Sequence, residues 1–387
     1  MEVSIQQGLD DIDAAEWDAV SGENDPFVEH AFLHALETSG SVGGKSGWHP
    51  MHLVARDKGI LVGAMPLYLK EHSYGEYIFD WSWAGGAERA GIPYYPKLVS
   101  MAPLTPATGH RFLVHPARER GPIVAALLEG VLAAAEATDA SSIHLLFLND
   151  EEIEEVRRDK RFMPRLSMQY HWHGAGDADF DAYLARFRSS MRKKTRKERR
   201  RVTEAGLRIE VKTGDALTPE DWHRLRSFYA DTCARKGSFP YLEDSFFEIG
   251  AKTLGERAVA VFAYEGEPGA DERCVAGTLN FEKGGHLYGR YWGCEDSYDM
   301  LHFELCYYQL IERAIAQGMT RFEAGAQGSH KLRRGLMPSK VHSAHWIKEP
   351  ELRRAIAEFL PHEAHQVARR IAVETGHGPF RRDEDAG

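Results

Sequence analysis

From Glu323 the chain reads Glu-Ala-Gly-Ala-Gln-Gly-Ser-His-Lys-Leu-Arg-Arg. A carboxylate closes a short apolar run. Gly325 and Gly328 then allow close approach of backbone to a ligand. Gln327, His330, Lys331, Arg333 and Arg334 follow at once. Backbone N–H groups and cations in one loop suit a phosphate or a carboxylate. The plainer reading is a tight turn with solvated charges. Transfer of an acyl group to an amine needs a base near neutral pH, a role for histidine or a shifted carboxylate. His302, Glu304, Glu323 and His330 are the candidates. His302 and Glu304 are two residues apart, so a helix cannot turn both into one site. Tyr308, further along the same helix, is a candidate ligand contact.

Just upstream, Tyr288, Arg290 and Trp292 alternate with Gly289 and Tyr291. Period two puts the first three on one strand face, where an arginine between aromatics binds an anion or simply snorkels. In the first half, Tyr74, Glu76, Asp80, Tyr94, Tyr95 and Lys97 line a substrate groove or pack beneath a loop. A basic block spans 186–201, with Glu198 as its one acid among the cations. Arg192 and Arg196 share a helix face with Arg199, and Lys193 shares one with Lys197 and Arg200. These cations suit a phosphate-bearing ligand such as tRNA, a nucleotide-linked precursor or anionic lipid. The block lacks interleaved aromatics, which argues against reading of base sequence. The alternative is a solvated helix between lobes. Metal-ligand spacings and a partnered nucleophilic cysteine are absent.

The elements that must position these residues follow from patterning. Strands are expected at 52–56 and 60–69, joined as a hairpin, and at 77–84 and 142–148. A long irregular loop is expected over 85–110 and a helix over 122–138. Phe180–Arg201 reads as one helix, with Asp179 or Asp181 as its cap, and 219–236 as another, capped by Thr218. Strands follow at 258–264, 275–282, 286–292, 321–323 and 341–346, with helices at 301–317 and 352–373. The halves repeat weakly. Ile60–Ala64 aligns with Cys274–Thr278, and Tyr77–Trp83 with Leu287–Trp292. His171-Trp172 and His345-Trp346 close the two units. A meander followed by a helix and another strand gives a mixed sheet that can splay at its middle. A splayed edge exposes N–H groups able to hold an extended acyl carrier.

The chain has 387 residues, 43% hydrophobic and 11% aromatic, which suits two packed domains and excludes a disordered protein. Net charge is −10, so outside the basic block the surface repels nucleic acid. Four cysteines without a CxxC pair fit a reduced compartment. The N-terminus lacks the pattern of a signal peptide, and an apolar run of membrane length is missing. A cytoplasmic protein is expected.

Three strings carry a resemblance: Leu287–Gly293, Leu301–Tyr308 and Phe322–Gly335. His72–Trp81, Tyr94–Leu98, Thr105-Pro106 and Gly109 support it from the first half. Together they resemble the FemAB-like peptidoglycan biosynthesis/recognition family, over roughly residues 24–363. The resemblance implies an α/β (α+β) fold of two GNAT-like lobes, each a mixed, mostly antiparallel sheet flanked by helices. It places the lobes at 1–178 and 216–375, a basic helix and linker at 179–215, and a tail at 376–387. The related Fem transferases move amino acids from aminoacyl-tRNA onto peptidoglycan precursors. The implied activity is therefore acyl or aminoacyl transfer to an amine, from acyl-CoA or aminoacyl-tRNA, onto a small-molecule or peptide-like acceptor. A degenerate pair of lobes that only binds muropeptides or anionic ligands is the other outcome. The chain departs from Fem enzymes in lacking a long helical-hairpin insertion. It also lacks the Arg/Gln-x-x-Gly-x-Gly/Ala pyrophosphate loop.

Overall fold

A computed structural model describes residues 1–269, 271–325 and 328–381. In chain order the strands are β1 (Glu2–Gln6), β2 (Trp48–Pro50), β3 (His52–Asp57), β4 (Ile60–Met65), β5 (Tyr68–Lys70), β6 (Lys97–Ser100), β7 (Leu113–Val114), β8 (Ser142–Leu148), β9 (Met163–His173), β10 (Arg208–Thr213), β11 (Ala258–Glu265), β12 (Arg273–Lys283), β13 (His286–Cys294), β14 (Arg321–Glu323) and β15 (Met337–Ile347). Two compact units form. The first comprises 1–168, 241–246 and 340–370, and the second comprises 169–240, 247–339 and the described residues from 371 on.

In the first unit β1, β3, β4 and β7 form an antiparallel sheet. A second set runs in the order β15, β8, β6, β5, β2, with β6 and β8 parallel and the other pairs antiparallel. The helix Arg120–Ala137 buries Ile123, Val124, Leu127, Leu128 and Val131. These pack with Leu53, Val62 and Leu145 in one core. Truncating a buried leucine such as Leu127 to alanine costs about 2–5 kcal/mol.

In the second unit the order is β10, β11, β12, β13, β14, β9, antiparallel except for β13 with β14. Helix Pro219–Arg235 starts at a capping box in which Thr218 and Asp221 satisfy each other's backbone N–H groups. Its Phe228 carbonyl lies 2.1 Å from where a Cβ on Gly293 would stand, so only glycine lets helix and strand meet there.

Both lobes are thus mixed, mostly antiparallel sheets flanked by helices. Each is completed by a strand from the opposite half of the sequence. His171, Trp172 and His173 of β9 pair with β14 in the second unit, while His342–Ile347 of β15 pair with β8 in the first. Both strands end in His-Trp or its neighbour, so nothing local tells which sheet each one closes.

Several expected elements differ. The expected strand 60–69 is two strands, β4 and β5, in different sheets. Residues 77–84 form no strand: Tyr77 has φ +61°, outside the extended region, and a helix begins at Trp81. The repeat therefore holds for Ile60–Ala64 but not for Tyr77–Trp83. The stretch 85–110 contains β6. The expected helix Phe180–Arg201 is two helices, Phe180–Ala185 and Ser189–Glu204, separated where Phe187 bridges to Phe380 and the Arg188 N–H donates to the Pro379 carbonyl.

Candidate functional site

The second unit holds an opened seam. β13 pairs with β12 along its length, from His286↔Lys283 to Cys294↔Ala276. Its parallel pairing with β14 covers only His286↔Arg321, Leu287↔Phe322 and Tyr288↔Glu323. Beyond Tyr288, no strand among the described residues pairs with that edge of β13. A strand edge without a partner strand is a place where an extended ligand can add.

Beside the unpaired stretch a cluster of side chains converges. The Trp292 ring on β13 meets the His302 ring at 5.2 Å. His302 also contacts Tyr307 and His330, with ring centroids at 5.5 and 6.1 Å. Tyr307 Oη and His330 Nε2 are 2.9 Å apart. Lys331 Nζ donates to the carbonyl of Gly325, two residues past β14, at 2.7 Å. A π-turn explains the placement of Tyr307. The expected helix 301–317 is interrupted at Glu304–Tyr308. The wider turn carries Tyr307, rather than Cys306, back over His302 and Phe303. The helix also starts from Met300 at φ +64°, a strained left-handed position for a non-glycine residue.

Electrostatics separate the roles. Burial, with His330 and Arg334 nearby, lowers His302 to about 4. Burial and the neighbouring Arg334 and Lys331 also lower His330. Both rings are therefore neutral at pH 7 and able to accept a proton. Burial lowers Lys331 to about 8, with Cys306 pulling the other way.

The carboxylates are held elsewhere. Glu304 is buried, receives Arg199 Nη2 at 2.9 Å and takes a hydrogen bond from Gln309 at 2.8 Å. Glu323, also buried, lies 3.1 Å from Arg321 Nε and 3.7 Å from His171 Nε2. Arg334 donates to Glu198 at 2.7 Å and to the His330 carbonyl at 2.8 Å, with its guanidinium 3.4 Å from the Phe303 ring centre. Tyr308 donates to the same Glu198. Gln327 lies outside the described residues.

The expectation for Tyr288, Arg290 and Trp292 needs correcting. Asn280 pairs with Gly289 and Leu279 with Tyr291, so Arg290 is the extra residue of a β-bulge. The bulge shifts the alternation. Tyr288 and Tyr291 now share the face of Phe281 and Leu279, while Trp292 shares the opposite one with Gly289. Arg290 stacks at 5.0 Å on its neighbour Tyr291 rather than between Tyr288 and Trp292.

The first-unit candidates form a sealed network rather than a groove lining. Lys97 Nζ donates to Asp80 at 2.5 Å, Glu76 at 2.9 Å and Ser73 at 2.8 Å. Lys70 Nζ donates to Glu76 at 2.8 Å and to the Tyr74 carbonyl at 2.7 Å. Tyr95 Oη meets Ser73 Oγ at 2.8 Å, and Tyr94 Oη donates to Asp80. Lys70, Glu76, Asp80 and Lys97 are all at most 1% exposed. Burial opposes every charge here. It takes Lys70 down to about 8, against the pull of Glu76. For Lys97 the carboxylates of Glu76 and Asp80 outweigh burial, and Lys97 in turn holds Asp80 well below the carboxylate range. The next layer is a buried imidazole pair, His144 Nδ1 to His345 Nδ1 at 2.8 Å. Of the sequence candidates in this unit, Tyr74 alone is more than half exposed.

On the basic helix Ser189–Glu204, Thr195, Glu198 and Val202 are buried. Arg196 pairs with Asp181, Arg199 with Glu304 and Glu312, and Arg201 with Asp299. Arg192 reaches the Ala185 carbonyl at 3.4 Å. Lys193 and Arg200 are exposed. Among the described residues, no three His, Cys, Asp or Glu side chains group to hold a metal, and no helix is long and apolar enough to cross a membrane.

Solved structures with this fold include FemX, with TM-score 0.55 and 13% identity over 92% of this chain and 100% of that one. L-PGS from Bacillus licheniformis aligns with TM-score 0.52 and 11% identity, over 88% of this chain and 98% of that one. A conserved protein of unknown function from Bacteroides thetaiotaomicron aligns with TM-score 0.54 and 11% identity, over 90% and 100%. At such identities the likeness is one of fold. No curated protein matches in sequence. The sequence signature of the FemAB-like family, described as peptidoglycan biosynthesis/recognition, matches residues 8–382. With nearly the whole chain matched, and with the fold shared with FemX, the protein belongs to the FemAB-like peptidoglycan biosynthesis/recognition family.

Proposed function

We propose that the chain is an acyl- or aminoacyl-transferase acting on an amine of a peptidoglycan-type precursor, with its chemistry at the open edge of β13. The observation that carries this reading is the short β13–β14 pairing beside a cluster of neutral histidines and a buried lysine. The donor carbonyl lies along Gly289–Gly293, where backbone N–H groups stabilise the oxyanion. The acceptor amine attacks, forming a C–N bond. In the tautomer whose Nε2–H donates to the Tyr307 oxygen, Nδ1 of His330 carries the free lone pair and takes the amine proton. The C–O bond of an ester donor, or the C–S bond of a thioester, then breaks. Lys331, protonated below about pH 8, supplies a proton to the leaving oxygen or sulfur.

Glu304 and Glu323 serve as braces, since each is engaged by an arginine. The donor is acyl-CoA or aminoacyl-tRNA. The test offers purified protein both donor classes with amine acceptors and reads product by mass. Product from one class, lost in His330→Ala and Lys331→Ala, supports the reading. Unchanged precursor binding in both variants, without product from either donor, makes the chain a binding module instead.

A further inference from the structure

The cations of the basic helix fall into two groups. Arg192, Arg196, Arg199 and Arg201 are turned to partners within the second unit. Lys193, Lys194, Lys197 and Arg200 are exposed and have no ion pair among the described residues. Lys193, Lys197 and Arg200 stand at i, i+4 and i+7, so they form one stripe about 10 Å long. Glu204, at the end of the helix, is the one exposed acid on it. In a chain of net charge −10 this stripe is a local inversion of sign.

The helix is also rigidly tied to the seam. Its inner face receives Tyr308 and Arg334 on Glu198, and gives Arg199 to Glu304. Those partners belong to the π-turn carrying Tyr307 and to the turn carrying His330 and Lys331.

We propose that this stripe is an electrostatic docking face for an anionic lipid surface. Three observations favour that partner. The exposed cations are mostly lysines, hydrated point charges suited to a diffuse field of headgroups. The arginines, whose planar fork matches a single phosphate, are mostly occupied. The stripe has no aromatic among its cations on which bases could stack. The three cations lie along one side of a single 16-residue helix, within about 10 Å, so they can meet neighbouring headgroups together. The helix has no exposed apolar face to insert, so the contact is reversible and salt-sensitive. This assignment stands apart from the transferase reading.

The test is co-sedimentation of the full chain with phosphatidylcholine vesicles containing about one-third phosphatidylglycerol. Each cation near such a surface contributes roughly fivefold in partitioning. The variant Lys193→Gln/Lys197→Gln/Arg200→Gln should therefore bind about 100-fold more weakly. Its melting temperature should stay unchanged, because these side chains brace nothing. Lys252→Gln, on another helix, should bind as the parent does. Raising salt from about 0.05 to 0.5 M should release the parent. Equal partitioning of parent and triple variant overturns the proposal, as does absence of binding to the anionic vesicles. Binding of bulk tRNA that the triple variant loses, with vesicles ignored, reassigns the stripe to RNA and also overturns it.

Discussion

Each unit contains a parallel strand pair of three registered positions, and the two pairs end differently. In the first unit β6 leaves β8 after Ser100↔Leu145, but a further bridge, Gly109↔Leu148, pins the chain back. Met101, Ala102 and Leu104 between them are buried. In the second unit β14 leaves β13 after Glu323, and no bridge recloses the pair among the described residues. The first unit spends its charges inside a closed network of Lys70, Glu76, Asp80 and Lys97. The second keeps histidines and a lysine beside an edge that no further strand covers among the described residues. The same topology therefore yields a scaffold when apolar residues refill the gap, and a candidate reaction site when they do not.

The largest effect should come from opening the sealed network. Lys97→Met leaves Asp80 and Glu76 buried with only Lys70 nearby. Removing one partner of such a cluster costs about 3–5 kcal/mol. Chemical denaturation should show that loss. A change under about 1 kcal/mol would mean that the network is wetter than its burial indicates. Next comes Lys331→Ala, which should lower turnover about 100-fold or more if its cation meets developing charge. Single-turnover assays on folded variant check this, and a change confined to KM would reduce Lys331 to a binding role.

The two regions should also respond to pH in opposite directions. Burial holds His144 near 3, and holds His345 well below its ordinary value. Below about pH 6.5 the unfolded chain takes up protons that these native imidazoles refuse. Stability is therefore full above pH 6.5 and falls progressively towards pH 3. Melting curves across that range should show the decline, and His144→Gln should flatten it. Activity should have its alkaline limb near pH 8, as Lys331 loses its proton. Lys331→Arg, if active, should carry that limb to higher pH, which a pH–rate profile would reveal.

Much of this was legible from patterning. β14 at Arg321–Glu323, the Thr218 cap and the mixed sheets follow from local signals. The grouping of His302 with His330 was half visible, since both were candidate bases. Tyr307 was not, because α-helical spacing pairs His302 with Cys306, and a π-turn leaves no plain mark in sequence. The bulge at Arg290 was hidden for a similar reason: strict alternation cannot register one extra residue. His345 was missed because its partner His144 lies 201 residues away. Lys70 was missed although Tyr74 and Glu76 are close in sequence, because a lysine in a short strand reads as solvent-facing. The exchange of final strands between units is a long-range choice that two His-Trp endings cannot encode.

The open edge of β13 carries the rest. Amide hydrogen exchange measured over Gly289–Gly293, with acetyl-CoA and then aminoacyl-tRNA added, tests it most directly. One of these donors should slow exchange in that segment while leaving β11 unchanged. If both donors bind and the segment exchanges as fast as before, the acyl carrier does not lie along β13.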